Sequence, residues 1–153
     1  MTDGLMGKSQ TIQWGTPTDL FELLNKEFNF NLDVCASDGM NLCERYFNPE
    51  IDGLKQEWTK NDICWMNPPY GKEIKHWVKK ASLSDAVVVA LLPARTDTKW
   101  WNDWVMPTAS ELRFIRGRLK FNNGGGPKKG APFPSVIAIY NTPRTPKISL
   151  IDY

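Results

Sequence analysis

Residues 63–70 read Ile63-Cys64-Trp65-Met66-Asn67-Pro68-Pro69-Tyr70, a short apolar run that ends in a rigid loop. A wholly apolar run such as 63–66 is typical of a strand that is buried on both faces. Proline fixes φ and has no N–H, so we expect the chain directly after this strand to hold one conformation. Apolar residues at helical spacing follow from Glu73 to Leu83. The stretch therefore predicts a strand, a rigid loop and a helix, in that order.

On both sides of this stretch the chain alternates between helical and strand patterns. Upstream, we predict a helix that starts at Thr16-Pro17-Thr18, a strand from Phe30 to Val34, and a short strand near Arg45–Phe47. Downstream, we predict a strand at Ala86–Leu92 that Pro93 ends, a helix at Thr98–Val105, and strands at Glu111–Ile115, Arg118–Phe121 and Ser135–Tyr140. This order predicts an α/β sheet with parallel strands first and a C-terminal β-hairpin at its edge.

A single domain accounts for the chain, because 153 residues lie within the roughly 100–200 residues of a typical domain. We expect a flexible arm at 1–13, one domain over 14–141 and a tail over 142–153. Hydrophobic residues make up 41% and charged residues 24%, which excludes a disordered chain, a coiled coil and a collagen-like repeat. No apolar run reaches the roughly 18 residues that span a bilayer, and the first residues lack a signal-peptide layout. We therefore expect a cytoplasmic protein with no membrane partner.

The cysteines are Cys35, Cys43 and Cys64, an odd number that includes no C-x-x-C pair. This pattern is typical of reduced thiols in a cytoplasm. A zinc site formed by these residues and His76 is the alternative, but their spacing matches no recognised set of zinc ligands. We expect no metal.

Positive charge is concentrated in one segment, although the net charge of the chain is only +2. Residues 113–129 contain six basic residues and no acidic residue: Arg113, Arg116, Arg118, Lys120, Lys128 and Lys129. Such local asymmetry favours a polyanionic partner.

The residue types at 67–70 suit the recognition of a planar group that carries an amine. The side-chain oxygen of Asn67 and the carbonyl of Pro68 can each accept one N–H, and the ring of Tyr70 can stack on the plane. Accepting both hydrogens draws the nitrogen towards a tetrahedral geometry and stabilises the positive charge that develops during attack on a methyl group. The remaining requirement is alignment of donor, methyl carbon and nitrogen, so the chemistry needs neither a metal nor a covalent intermediate.

Asn67-Pro68-Pro69-Tyr70 resembles the catalytic motif of amino-methyltransferases that use S-adenosylmethionine. A longer ordered set of motifs, within residues 14–140, is similar to the phage-encoded DNA N-6-adenine methyltransferases. The set is TPTDLF at 16–21, LDVCAS at 32–37, RYF at 45–47, DGL at 52–54, WMNPPYG at 65–71, LLPARTDTKWW at 91–101, GRLKF at 117–121 and APFPS at 131–135. The resemblance implies a compact Rossmann-like methyltransferase sheet, in a three-layer α/β/α arrangement. It also implies methyl transfer to N6 of an adenine that is flipped out of DNA, since a stacked adenine cannot reach such a loop.

The resemblance further implies roles for particular residues. The catalytic residues would be Asn67, Pro68, Pro69 and Tyr70, of which Asn67, Pro68 and Tyr70 would hold the adenine. The residues that would bind the cofactor are Thr16, Pro17, Asp33, Cys35, Ala36, Asp52 and Asn67. The candidates for phosphate contacts are Arg95, Arg116, Arg118, Lys120, Lys128 and Lys129. The glycine-rich loop that usually follows the first strand is replaced here by Asp33-Val34-Cys35-Ala36-Ser37.

Two alternatives stay open at this point. The loop would also serve a methyltransferase of an RNA base amine or of a protein glutamine amide, since these substrates also present a planar NH2 group. A non-catalytic nucleic-acid-binding relative of the same fold is the second alternative. The expected partner is DNA, bound by a monomer or a weak homodimer, and a chain of this length predicts a short or relaxed target sequence.

Overall fold

The computed structural model describes residues 14–122, 130–143 and 147–153, which form one mixed α/β sheet with three α-helices. The helices are α1 Thr18–Phe28, α2 Ile74–Leu83 and α3 Lys99–Trp104, with a short 3-10 helix at Gly53–Lys55. The strands are β1 Leu32–Asp33, β2 Ile63–Met66, β3 Val87–Pro93, β4 Glu111–Ile115, β5 Ser135–Tyr140 and β6 Lys147–Ile151. The predicted α/β class is confirmed, and the architecture is compatible with a Rossmann-like sheet.

The order of the strands brings the loop 67–70 to an edge where several strands end together. The order is β1-β2-β3-β5-β4-β6, and β1, β2 and β3 are parallel. β5 is antiparallel to β3 and β4, and β6 is parallel to β4. The carboxyl ends of parallel strands meet at one edge, which is where such sheets bind ligands. Asn67 therefore lies between the ends of β1 and β3.

β3 is buried on both faces, and its alternate residues belong to different hydrophobic clusters. Val88, Ala90 and Leu92 pack in the cluster that contains residues of α2 and α3. Val89 and Leu91 pack in the cluster that contains residues of α1. Successive side chains of a strand point to opposite faces, so helices cover both faces of the sheet at this strand. This double burial explains why the strand is apolar throughout.

The sequence predicts the central strands closely. Ile63–Met66 is a strand as predicted, and the strand predicted at Ala86–Leu92 is shifted by one residue. The prediction that Pro93 ends this strand is wrong by one position, since Pro93 is its last residue and pairs with Ser135. Proline is tolerated there because the ladder needs no further N–H at the end of the strand.

The edges of the sheet differ more from the prediction. The predicted strand Phe30–Val34 shortens to the two residues of β1. The predicted Arg45–Phe47 strand contributes one parallel bridge, from Tyr46 to Asp33. In the described part of the chain, the predicted strand Arg118–Phe121 forms only one bridge, which joins Lys120 to Gly130.

The predicted C-terminal hairpin is not confirmed. β4 and β5 do pair antiparallel, but the edge strand is β6, which lies within the stretch 142–153 that was expected to be a tail. Most side chains of β6 are exposed or half-buried. β6 is held mainly by main-chain pairing with β4, and its side chains do not form a buried apolar face. The sequence therefore gives little indication of this strand. The predicted arm at 1–13 lies outside the described residues.

Within the described ranges, no helix has both the length and the apolar character needed to cross a membrane. The residues of these same ranges also contain no group of three or more His, Cys, Asp or Glu side chains that could hold a metal ion. The cysteines Cys35, Cys43 and Cys64 are free thiols. Burial raises the pKa of each of them, to about 11 for Cys43. Raised pKa values keep these thiols in the protonated form at neutral pH.

Candidate active site

Two cavities flank the loop 67–70. The first, here called the aromatic cavity, measures about 350 Å³ and is lined by residues that include Trp14, Tyr70, Pro93, Arg95, Trp100 and Phe133. The second, here called the Asp52 cavity, measures about 240 Å³ and is lined by residues that include Cys35, Ala36, Phe47, Asp52, Pro69 and Trp77. Tyr70 lines the first cavity and Pro69 the second. The loop therefore forms part of the wall between them.

The side-chain amide of Asn67 is oriented by the segment that precedes α1. Its Nδ2 donates hydrogen bonds to the main-chain carbonyl of Trp14 and, at 3.0 Å, to Oγ1 of Thr16. A carbonyl can only accept, so turning the amide over would place its oxygen against the oxygen of Trp14. Oδ1 is buried and has no hydrogen-bond partner among residues 14–122, 130–143 and 147–153. One buried acceptor at the end of β2 is thus unpaired within the described residues, and Asn67 itself is not among the residues that line the two cavities.

The ring of Tyr70 is fixed at both ends. Its hydroxyl donates a hydrogen bond to the carbonyl of Leu91 at 3.1 Å. Its ring contacts Phe133 edge-to-face at a centroid distance of 5.6 Å and Phe121 at 6.3 Å. Burial raises the pKa of Tyr70 far above its usual value. The hydroxyl of Tyr70 therefore keeps its proton at neutral pH. The side chain forms a neutral aromatic wall of the cavity.

Asp52 presents a carboxylate to the second cavity. Its backbone has a φ of 60°, and its Oδ1 accepts a hydrogen bond from the N–H of Leu54 at 3.1 Å. The ammonium of Lys55 lies 3.8 Å from Oδ2, and the side chain of Asp52 is 35% exposed. The next residue, Gly53, packs against the end of β1: a Cβ there would stand 2.1 Å from the carbonyl oxygen of Val34. One carboxylate oxygen remains open to hydrogen-bond donors of a ligand.

Some of the residues predicted to bind a cofactor do lie at the Asp52 cavity, and others do not. Cys35 and Ala36 line it. Thr16 and Pro17 instead lie at the start of α1, where Thr16 accepts the hydrogen bond from Asn67 and Pro17 is the buried N-cap residue.

The carboxylate of Asp33, also predicted to bind a cofactor, accepts hydrogen bonds from the protein's own main chain. Its side chain is buried, and its carboxylate accepts hydrogen bonds from the N–H groups of Cys35 at 3.2 Å and Leu42 at 3.1 Å. Burial raises its pKa to about 6, although these two hydrogen bonds act in the opposite direction. In this arrangement Asp33 shapes the loop after β1.

The residues predicted to contact phosphates differ in their surroundings. Arg95 lies at the aromatic cavity, with its guanidinium carbon 5.5 Å from the ring centroid of Phe133. Arg116 forms an exposed ion pair with Asp152 at 2.9 Å. Arg118 and Lys120 are exposed. Lys128 and Lys129 lie outside the described residues.

Arg113 belongs to the basic segment in sequence but is held within the protein. It donates hydrogen bonds to Glu27 at 2.6 and 2.8 Å and to Glu111 at 2.9 Å, and its side chain is 13% exposed. The hydrogen bonds with Glu27 raise its pKa further, and those with Glu111 add to the effect. A polyanion cannot displace these partners without breaking the link between α1 and β4.

Sequence reasoning expected one of the tryptophans Trp100, Trp101 and Trp104 near the cleft, which Trp100 confirms, but did not single out Trp14 and Phe133 as walls of the first cavity. Trp14, Trp100 and Phe133 line that cavity with Tyr70. Trp100 and Phe133 lie within the motifs at 91–101 and 131–135, which was the available signal. Aromatic residues are also common in cores, so the residue type alone could not separate a cavity wall from a core position.

A larger hollow, of about 630 Å³, lies away from this loop. It is lined by residues that include Trp58, His76, Lys80 and Asp85. Asp85 lies just before β3, so this hollow is at the amino ends of the parallel strands. Leu54 lines both this hollow and the Asp52 cavity, but Asn67, Asp52 and Arg95 are not part of the lining of the hollow.

The sheet, with two cavities beside the loop that follows β2, defines an α/β protein. Residues 5–153 match the family model described as "DNA N-6-adenine-methyltransferase (Dam)". The DNA N-6-adenine-methyltransferase of Haemophilus phage HP1 (strain HP1c1) is 31% identical over 157 residues, which cover 98% of this chain and 90% of the relative. That of Escherichia phage T1 is 29% identical over 110 residues, which cover 69% of this chain and 45% of the relative. The chain therefore belongs to the DNA N-6-adenine-methyltransferase (Dam) family, a family of DNA-methylating enzymes.

Proposed function

We propose that this chain transfers a methyl group from S-adenosylmethionine to N6 of an adenine flipped out of DNA, with Asn67, Pro68 and Tyr70 holding the base. The observation that carries the proposal is the buried Oδ1 of Asn67, which has no partner in the described part of the chain. An acceptor fixed at this point suits the N–H of an amine. Family membership supports adenine in DNA as the substrate.

In this proposal, Asn67 and Pro68 act on the amine itself. Oδ1 of Asn67 and the carbonyl of Pro68 each accept one N–H of the adenine amine, which directs the nitrogen lone pair out of the ring plane. S-adenosylmethionine, when bound, supplies a methyl group on a positively charged sulfur. The chain supplies orientation, because Pro68 and Pro69 fix the backbone on which both acceptors depend.

The aromatic cavity is the proposed site of the flipped adenine. Tyr70 offers a ring whose orientation is fixed by Leu91 and Phe133. Stacking on an aromatic side chain stabilises a base by about 1–3 kcal/mol. That gain offsets part of the cost of unstacking the adenine from the duplex. Arg95 lines the same cavity, and in this proposal its guanidinium contacts a phosphate next to the flipped base.

The Asp52 cavity is the proposed site of the cofactor. The carboxylate of Asp52 can only accept hydrogen bonds, which suits the ribose hydroxyls. The apolar side chains of Phe47 and Trp77 on the same cavity suit the adenine ring of the cofactor. Pro69 lines this cavity and Tyr70 the other, so a methyl donor and an amine would meet at the loop between them.

The remaining parts of the proposal concern the whole molecule. The sheet would form the middle of a three-layer α/β/α methyltransferase domain, which acts as a monomer or weak homodimer in the cytoplasm of a host cell. Arg116, Arg118 and Lys120, with Lys128 and Lys129, would contact DNA phosphates. Such contacts give affinity without sequence preference.

The proposal is tested by methyl transfer from labelled S-adenosylmethionine to unmethylated DNA, RNA and host protein in parallel reactions. We expect label in DNA, recovered as N6-methyladenine after digestion to nucleosides. Asn67→Ala should abolish it. Asn61→Ala is the matched control, since Asn61 is an exposed asparagine.

Other outcomes would change the proposal in defined ways. Label in RNA or protein would keep the chemistry and replace the substrate. No label in any substrate, with S-adenosylmethionine still bound, would indicate a non-catalytic relative. Equal activity of Asn67→Ala and the unaltered protein would remove the catalytic role of the loop.

A further inference from the structure

The amide of Asn67 is the only part of the proposed catalytic loop whose orientation could reverse. An amide has an acceptor end and a donor end of nearly the same shape. The proposed function needs the oxygen to face the substrate, because a reversed amide would present N–H groups to an amine that also donates. Something must therefore hold one of the two orientations.

The segment Trp14–Thr16 holds that orientation through two contacts. The carbonyl of Trp14 and the hydroxyl of Thr16 both accept hydrogen bonds from Nδ2 of Asn67. Both hydrogens of the amide nitrogen are thereby used inside the protein, and Oδ1 is left unpaired among the described residues. Thr16 lies 51 residues before Asn67 in the sequence, so only the fold brings the two together.

The segment is itself held in place by the chain that follows β4. The carbonyl of Gly15 accepts a hydrogen bond from the N–H of Asn122 at 2.8 Å. A Cβ at Gly15 would stand 1.7 Å from the carbonyl oxygen of Asn122, so the two backbones approach more closely than any side chain allows. The ring of Trp14 packs on Phe121 and Phe133 at centroid distances of 5.1 and 5.3 Å.

We propose that Thr16, together with the main chain of Trp14, is a positioning residue that fixes the Asn67 amide with Oδ1 towards the substrate amine. This rests on the proposed role of Asn67. It also gives Thr16 a different role from the cofactor contact that the sequence resemblance implies. Thr16 acts through Asn67 and would not touch the cofactor.

The test compares Thr16→Val with Thr16→Ser. Valine keeps the shape of threonine and removes the hydroxyl, whereas serine keeps the hydroxyl. Methyl transfer to unmethylated genomic DNA is measured as kcat and KM, and S-adenosylmethionine binding is measured separately by calorimetry. We expect Thr16→Val to lower kcat by about tenfold, the effect of one lost hydrogen bond that orients a reacting group. The affinity for S-adenosylmethionine should not change, and Thr16→Ser should keep most of the activity.

A double-mutant cycle on stability tests whether Thr16 acts through Asn67, because Asn67→Ala is expected to leave no methyl transfer to measure. Thr16→Val should lower the free energy of unfolding in the unaltered protein but not in the Asn67→Ala background, where the amide that it contacts is gone. An equal loss of stability in both backgrounds would show that Thr16 acts independently of Asn67, and would overturn the proposal.

Two other results would also overturn it. Weaker S-adenosylmethionine binding by Thr16→Val, with kcat unchanged, would make Thr16 a cofactor contact. Full activity of Thr16→Val, while Asn67→Ala is inactive, would remove the positioning role and leave the proposed function intact. Full activity of Asn67→Ala would instead defeat the proposed function, so the two failures are distinguishable.

Discussion

The hydroxyl of Tyr70 donates a hydrogen bond to the main-chain carbonyl of Leu91 at 3.1 Å. This contact ties the end of the loop 67–70 to the neighbouring strand β3. The hydroxyl therefore anchors a side chain that also lines the aromatic cavity.

Tyr70→Phe and Tyr70→Ala should therefore have different effects. Phenylalanine keeps the ring and loses the anchor, so we expect most of the methyl transfer activity and a free energy of unfolding lower by about 1 kcal/mol. Alanine removes the ring, and the loss of about 1–3 kcal/mol of base stacking should weaken DNA binding and methyl transfer. Urea unfolding and steady-state kinetics measure the two effects. An inactive but fully folded Tyr70→Phe would show that the hydroxyl takes part in the reaction.

Asn67→Asp should lose activity although it keeps an acceptor. A carboxylate cannot donate to the carbonyl of Trp14, so two oxygens would face each other and the side chain would leave its position. We expect methyl transfer to fall by about tenfold or more. The measurement is labelled methyl incorporation into DNA, with the exposed Asn61→Asp as control. Unchanged activity of Asn67→Asp would show that the bonds from Nδ2 do not matter.

Asp52→Asn should weaken cofactor binding. Asparagine tolerates positive φ and keeps the hydrogen bond to Leu54, so the turn at Gly53 should stay intact. It loses the charge that strengthens hydrogen bonds from the ribose, which predicts an increase of about tenfold in the dissociation constant of S-adenosylmethionine. Calorimetric titration measures the constant, and circular dichroism verifies the fold. An unchanged constant would place the cofactor elsewhere.

Arg95→Ala should change DNA binding, whereas Arg113→Ala should change the stability of the fold. Arg95 lies at the aromatic cavity, so its loss should weaken DNA binding and lower the slope of log affinity against log salt by about 0.9 for one phosphate. Arg113 is paired with Glu27 and Glu111, so its loss should lower the free energy of unfolding and leave that slope unchanged. Fluorescence anisotropy with labelled DNA over a salt series distinguishes them. The reverse pattern would contradict both assignments.

Stability should fall as the pH rises from about 4 to about 6 because of Asp33. Burial raises the pKa of Asp33 to about 6 from an ordinary value of 3.8. Between these values the folded state keeps a proton that the unfolded state has released, so rising pH favours unfolding. The upper limit of the effect is about 3 kcal/mol. Urea unfolding across this range should show a slope that Asp33→Asn removes, and an equal slope in the variant would contradict the origin in Asp33.

The amino-acid sequence by itself determined the α/β class of the fold and the strand that precedes the loop 67–70. The apolar stretches 63–66 and 86–92 predict central strands because a strand covered on both faces must be apolar throughout. The properties of Asn67-Pro68-Pro69-Tyr70 could be predicted from the sequence. Proline restricts the backbone locally, and the donors and acceptors of an asparagine amide follow from the residue type alone. The order of the motifs indicated the family.

Only the tertiary structure decided which partners these residues have. Nothing in the sequence shows that Thr16 accepts a hydrogen bond from Asn67 or that Arg113 donates hydrogen bonds to Glu27. The sequence also does not show that the carboxylate of Asp33 accepts hydrogen bonds from its own loop. β6 was also missed, because it joins the sheet by pairing with β4 while its apolar residues Ile148 and Leu150 stay exposed. Local preferences follow from the residue type and its neighbours, whereas the availability of a polar atom depends on groups that folding brings from far along the chain.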